Sequence, residues 1–123
     1  TAIDARSRRT LSARMSALES SNPADTVAGL VRLLTVAPDR VDCYAGAPQP
    51  GGVGRVFGGQ VVAQALQAAQ ASAPAGMNAH SLHAFFLRGG TEGLDTGYQV
   101  TRDLDGRTLT VARSVGRRRP LPC

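Results

Sequence analysis

Two adjacent glycines lead into a run of small and amide side chains: Val56-Phe57-Gly58-Gly59-Gln60-Val61-Val62-Ala63-Gln64-Ala65-Leu66. This stretch constrains the fold more than any other. A helix that starts at a glycine pair leaves backbone N–H groups unpaired in its first turn. The helix dipole and those donors together favour negative charge there. Glycine has no side chain, so a carbonyl or phosphate can approach that backbone closely. The arrangement suits a site that stabilises an oxyanion or grips an acyl thioester. The same pattern also describes a plain turn into a buried helix, and short glycine motifs often occur without function.

The spacing predicts an amphipathic helix over residues 60–73. At about 100° per residue, Val61, Val62, Ala65, Leu66, Ala68, Ala69 and Ala73 share one arc, and Gln60, Gln64, Gln67 and Gln70 lie opposite. The narrow apolar arc is expected to face a sheet, because alanine permits close approach of another backbone. The amide arc carries no charge, unlike most solvated helix faces. It is therefore expected to be half-buried beside a partner or a ligand channel.

With 123 residues, the chain has room for one domain. No apolar run approaches the length of a membrane span, and no secretory leader pattern is present, so a cytoplasmic location is expected. Cys43 and Cys123 form no disulfide framework. With only His80 and His83 beside them, no metal site is expected. The net charge of +5 is unevenly spread: residues 1–14 carry +3, residues 113–123 carry +4, and the body between them carries −2. No aromatic residues interleave with the basic ends, so nucleic-acid binding is not expected. Every basic side chain is arginine. Met15 and the residues after it read like an ordinary protein start, so residues 1–14 are expected to be an upstream extension. The arginine- and proline-rich residues 116–123 are expected to follow a truncation or frame-shift near Val115.

Residues 1–24 read as a disordered basic extension. A helix is predicted over 25–36, capped by Ser21 or Asp25, with a Val27, Leu30, Val31, Leu34 stripe and Pro38 as its stop. A weak strand follows over 40–46, and a Gly- and Pro-rich loop over 46–54. The long helix comes next and ends at Pro74-Ala75-Gly76. Residues 79–88 (Ala-His-Ser-Leu-His-Ala-Phe-Phe-Leu-Arg) alternate with bulk on both faces and predict a central strand. Further strands are predicted over 97–104 and 107–115, joined by an Asp105-Gly106 turn. The order predicts an α+β hotdog fold over 25–115: an antiparallel sheet wrapped around one central helix. The tail over 116–123 is expected to be irregular. Pro120 and Pro122 in that tail cannot continue a central strand, so the sheet is expected to be incomplete, with an open edge.

Three segments in order carry a family resemblance: Val56 to Leu66, Ala79 to Gly90, and Arg107 to Val115. Together they resemble the N-terminal half of acyl-CoA thioesterase II. The resemblance covers about residues 27–115. It implies a double-hotdog architecture, hydrolysis of fatty acyl-CoA to free fatty acid and CoA, and no metal or redox cofactor. It also implies that the family's catalytic Asp, Thr or Ser, and Gln lie in a second unit, so no triad is assigned to these positions. A second copy or second hotdog unit is the expected partner.

Several residues are candidates within this frame. Gly58, Gly59 and Gln60 are expected to contact substrate through backbone N–H groups. Phe57 is expected to line an acyl channel, or else the core. Arg88 is a candidate for a CoA phosphate, against the plainer reading of a solvated strand end. His80 matches a histidine of the family's motif and is the candidate general base, against a structural role. His83 is expected to be structural, and Phe85, Phe86 and Leu87 are expected in the core. The competing functional reading is a non-catalytic acyl-CoA-binding or assembly module. A poorly folding remnant and a hotdog hydratase are weaker alternatives; no Asp/Glu–His pair has the spacing that dehydration requires.

Overall fold

The computed structural model describes residues 22–107 and 110–118. The expected basic extension and most of the expected tail lie outside the described residues. The chain divides into two units between Val31 and Arg32. The first holds the start of helix α1 (Pro23–Leu34). Asn22, rather than Ser21 or Asp25, caps it: Asn22 Oδ1 accepts from the Ala24 N–H at 3.1 Å. Pro23 then fills the first helical position, where its missing donor costs nothing. Val27, Leu30 and Val31 are exposed in the described residues. Their periodicity reported a helix correctly but not what covers it.

The second unit is a four-stranded antiparallel meander with one helix. The strands are β1 (Val36–Arg40), β2 (Cys43–Gly46), β3 (Thr96–Asp105) and β4 (Thr110–Arg118), in the order β1-β2-β3-β4. Helix α2 (Gly58–Ser72) packs against all four strands. The single strand expected over 40–46 is instead the second half of a hairpin. Val41-Asp42 forms its turn, with Asp42 at φ 56°, a conformation that short polar side chains tolerate. The Asp42 carbonyl accepts from the Val100 N–H at 2.8 Å. Pro38 does not end α1, which stops at Leu34. It lies in β1, an edge strand, where a missing N–H is tolerated.

Strand β4 continues past Val115 without interruption, and Arg118 pairs with Thr96. The pattern break expected at Val115 is therefore absent. β3 and β4 form a long hairpin with a register shift between Arg102 and Leu104.

The central strand expected over 79–88 does not form. These residues belong to no strand and are exposed throughout, with Phe85 at 88% and Leu87 at 91%. Alternation supplies a strand's side-chain pattern, but a strand also needs a neighbouring ladder. Each of the four strands pairs only with its sequential neighbours, and none pairs with this segment.

The core is small. Ala68, Tyr98 and Val100 form its buried centre, with Val36, Tyr44, Val61, Ala65 and Ala112 packed partly around them. Tyr98 is fully buried, and its hydroxyl donates to Gln64 Oε1 at 2.8 Å. Burial pushes the Tyr98 pKa up to about 12, against a smaller opposing effect of a hydrogen bond with Thr96. A raised phenol pKa stabilises the fold fully below the ordinary value of 10, and that stability is lost as pH climbs through about 12. The fold is expected to lose about 2–3 kcal/mol across this window. Tyr98→Phe should remove that alkaline loss while costing about 1–2 kcal/mol at neutral pH. Denaturant unfolding measured as a function of pH checks both effects.

Candidate active site

Helix α2 turns inward two members of the amide arc, Gln60 and Gln64, together with Ala68 of the apolar arc, while Val61 and Ala65 pack partly against the core. Its buried positions are Gln60, Gln64 and Ala68, spaced four apart, while Val61, Val62, Ala65 and Leu66 are only half-buried. Two amides can occupy this face because the neighbouring backbone presents carbonyls to them. Gln64 Nε2 donates to Leu33 O at 2.6 Å and to Ala47 O at 3.0 Å. Gln60 Nε2 donates to the same Ala47 oxygen at 3.2 Å. Leu33 lies in the last turn of α1, where carbonyls lack intrahelical partners. Gly46 makes room for this network: a Cβ there would overlap the Gln64 amide and sit 2.9 Å from the Tyr98 ring. The face expected to meet a partner or ligand is thus the helix's anchor to the sheet.

That anchor fixes the loop from Ala47 to Phe57 and so the start of α2. Phe57 occupies the N-cap in extended conformation and makes no side-chain cap. Its carbonyl accepts from the N–H groups of Gln60 at 3.0 Å and Val61 at 3.4 Å. The Gln60 backbone donor, a sequence candidate for substrate, is therefore already engaged. The Gly58 and Gly59 N–H groups have no partner among the described residues, and the first turn holds no acid. The Gln60 side chain is buried, and its Oε1 also has no partner there.

A second segment is pinned beside the first. The Val56 N–H donates to Gly90 O at 3.2 Å, Arg55 and Thr91 form an isolated antiparallel bridge, and the Glu92 N–H donates to Gly54 O at 2.9 Å. These contacts bring Phe86 to the glycine pair. A Cβ on Gly58 would lie 3.1–3.2 Å from two ring atoms of Phe86, and one on Gly59 would overlap the Phe57 ring. Neither glycine has a positive φ. They are needed for the space that the rings occupy, not for unusual backbone conformation.

The other candidates are dispersed. Arg88 is exposed, one residue before Gly89, and the Arg55 side chain lies 3.7–3.8 Å from where a Gly89 Cβ would be. Arg55 and Phe86 escaped the sequence reading because the Val56–Gly90 contact that places them leaves no periodic signal. His80 lies at the far end of the helix. The Ala79 N–H donates to Gln70 Oε1 at 2.8 Å, and Gln70 is about 18 Å along the axis from Gly58 at 1.5 Å per residue. His80 is also exposed. The structure does not bring the candidate base to the candidate oxyanion site. His83 is exposed as well, not packed. Phe85, Phe86 and Leu87, expected in the core, are 88%, 64% and 91% exposed.

Two main-chain N–H groups without partners among the described residues thus lie near the rings of Phe57 and Phe86. Known proteins share this stretch of chain. The family description "Acyl-CoA thioesterase N-terminal domain" matches residues 47–120, more than half of the chain. The chain belongs to the acyl-CoA thioesterase family. It is similar to human acyl-coenzyme A thioesterase 8, at 48% identity over 61 residues, covering 50% of this chain and 19% of that protein. It is similar to acyl-CoA thioesterase 2 of Haemophilus influenzae, at 38% identity over 89 residues, covering 71% and 30%. Among solved structures, the tesB protein of Mycobacterium avium subs paratuberculosis superposes with TM-score 0.68 at 29% identity, covering 81% of this chain and 39% of that one. The chain thus spans between about a fifth and two fifths of these relatives.

The four-stranded sheet and its helix are a hotdog thioesterase fold, incomplete in strand number. The thioesterase family match includes the glycine pair, both rings and β4 beyond Val115. Among the described residues, no helix is long and apolar enough to cross a membrane.

The buried amide pair is expected to hold this site together. Gln64→Leu removes the Gln64 hydrogen bonds to the Tyr98 hydroxyl, the Leu33 carbonyl and the Ala47 carbonyl, and should cost about 3 kcal/mol or more. Hydrogen exchange of the amides in residues 47–57 should accelerate at the same time. Unchanged melting and unchanged exchange would show that the network does not position the loop.

Proposed function

We propose that this chain acts in the hydrolysis of fatty acyl-CoA to free fatty acid and CoA, and that it holds the thioester. The observation that carries the reading is the Gly58–Gly59 pair of unpartnered N–H groups at the start of α2. A thioester carbonyl oxygen gains charge as water attacks, and two fixed donors at a helix start stabilise that charge. Family membership supports the acyl-CoA substrate class. Arg55 and Arg88 are candidates for the CoA phosphates.

The water-activating group belongs to another unit in this reading. Among the described residues, no acid or base is hydrogen-bonded at the glycine pair, and His80 follows Ala79, whose N–H is held by Gln70 about 18 Å along the helix from Gly58. A second hotdog unit, elsewhere in a longer chain or in a second copy, would supply it. These features also favour the second reading, an acyl-CoA-binding half without turnover of its own.

Gly58→Pro made in a Phe86→Ala background, and compared with Phe86→Ala alone, isolates the donor chemistry, because a proline Cβ would otherwise meet the Phe86 ring at 3.1–3.2 Å. Proline fits the first helical position, and Phe57, with φ −65° and ψ 124°, already has the conformation that precedes proline. The variant is expected to fold and to lose acyl-CoA binding by about tenfold or more, in line with loss of a hydrogen bond to a polarised oxygen. Calorimetry measures binding, and thiol release measures turnover. Binding without thiol release would select the second reading. A folded chain that neither binds nor cleaves acyl-CoA would overturn both.

A further inference from the structure

The two rings at the helix start are placed where a folding argument alone does not put them. Phe57 is 73% exposed and Phe86 is 64% exposed. Neither belongs to the core centred on Ala68, Tyr98 and Val100. Even so, the chain keeps two consecutive glycines so that these rings can lie against the backbone. Phe86 covers Gly58 from a segment nearly thirty residues away in sequence, and Phe57 folds back over Gly59 from the N-cap itself. The backbone contact between Val56 and Gly90 and the bridge between Arg55 and Thr91 hold Phe86 in position. Exposed aromatic surface therefore borders the two N–H groups that lack partners.

A ligand that satisfies this surface must be amphipathic over a few atoms. It needs an acceptor oxygen for the donors and a chain of methylenes for the rings.

We infer that Phe57 and Phe86 are the acyl-specificity residues of this half-site, receiving the first methylenes of the acyl chain beside the thioester carbonyl. The inference rests on the acyl-thioester reading above.

The test is calorimetry of the full chain with free CoA and a series of saturated acyl-CoA thioesters of increasing length. Wild type should gain about fourfold in affinity per methylene over the first few carbons. Phe86→Ala and Phe57→Ala should flatten that gain and weaken longer thioesters by about tenfold, while free CoA binds as before. Phe85→Ala is the control: Phe85 is more exposed than either ring and should leave the series unchanged. If both variants track wild type along the whole series, the rings do not read the acyl chain and the inference fails, although the acyl-thioester reading survives. If folded wild type binds no acyl-CoA of any length, both fall.

Discussion

The Gln64 side chain is the interaction on which this structure depends. Its amide reaches three elements at once: the Tyr98 hydroxyl on β3, the Leu33 carbonyl at the end of α1 and the Ala47 carbonyl just after β2. A helix whose buried positions are two glutamines and one alanine buries little apolar area, so its attachment to the sheet cannot rest on hydrophobic contact alone. Buried polar groups are neutral or favourable only when fully paired. The Gln64 amide is paired at both its nitrogen and its oxygen, and Gly46 leaves room for it. Gln60 adds a second hydrogen bond to the Ala47 oxygen. The consequence reaches the site, because the loop fixed by Ala47 ends at Phe57 and determines where the helix begins.

Much of this arrangement was legible in the sequence. The glycine pair announced the helix start, and the Asp105-Gly106 turn announced the β3–β4 hairpin. The uncharged glutamine arc announced an unusual helix face. What the amides would meet was not legible, since partners such as Leu33 O and Ala47 O are backbone atoms with no sequence signature. The rotation of the helix follows from this: hydrophobicity ranks valine inward, but three hydrogen bonds to the Gln64 amide bring Gln60 and Gln64 inward beside Ala68, with Val61 and Ala65 at the margin of the core. The segment over 79–88 fails differently. Its alternation is real, yet strand formation is a property of two chains side by side, and no described strand is available to it.

The site shows the same division. Gly58 and Gly59 were identified by type and spacing, and the structure leaves their N–H groups open. Phe86 was assigned to the core because bulk on an alternating segment usually means burial. It instead covers a glycine, through a contact spanning nearly thirty residues. His80 matched a motif, but motif identity carries no distance, and the hydrogen bond from Ala79 to Gln70 puts it at the opposite end of the helix. An acyl-CoA thioesterase half that holds the thioester and leaves water activation to another unit is consistent with all three placements.

The central claim is that two main-chain donors at the start of α2 receive a thioester carbonyl. Amide-resolved NMR of the labelled chain, titrated with a non-hydrolysable ketone analogue of acyl-CoA, tests it most directly. The account predicts that the Gly58 and Gly59 amide proton resonances move downfield on saturation and that exchange of these two amides slows. Saturable binding that leaves both resonances in place, with the shifts gathered elsewhere on the sheet, would contradict it.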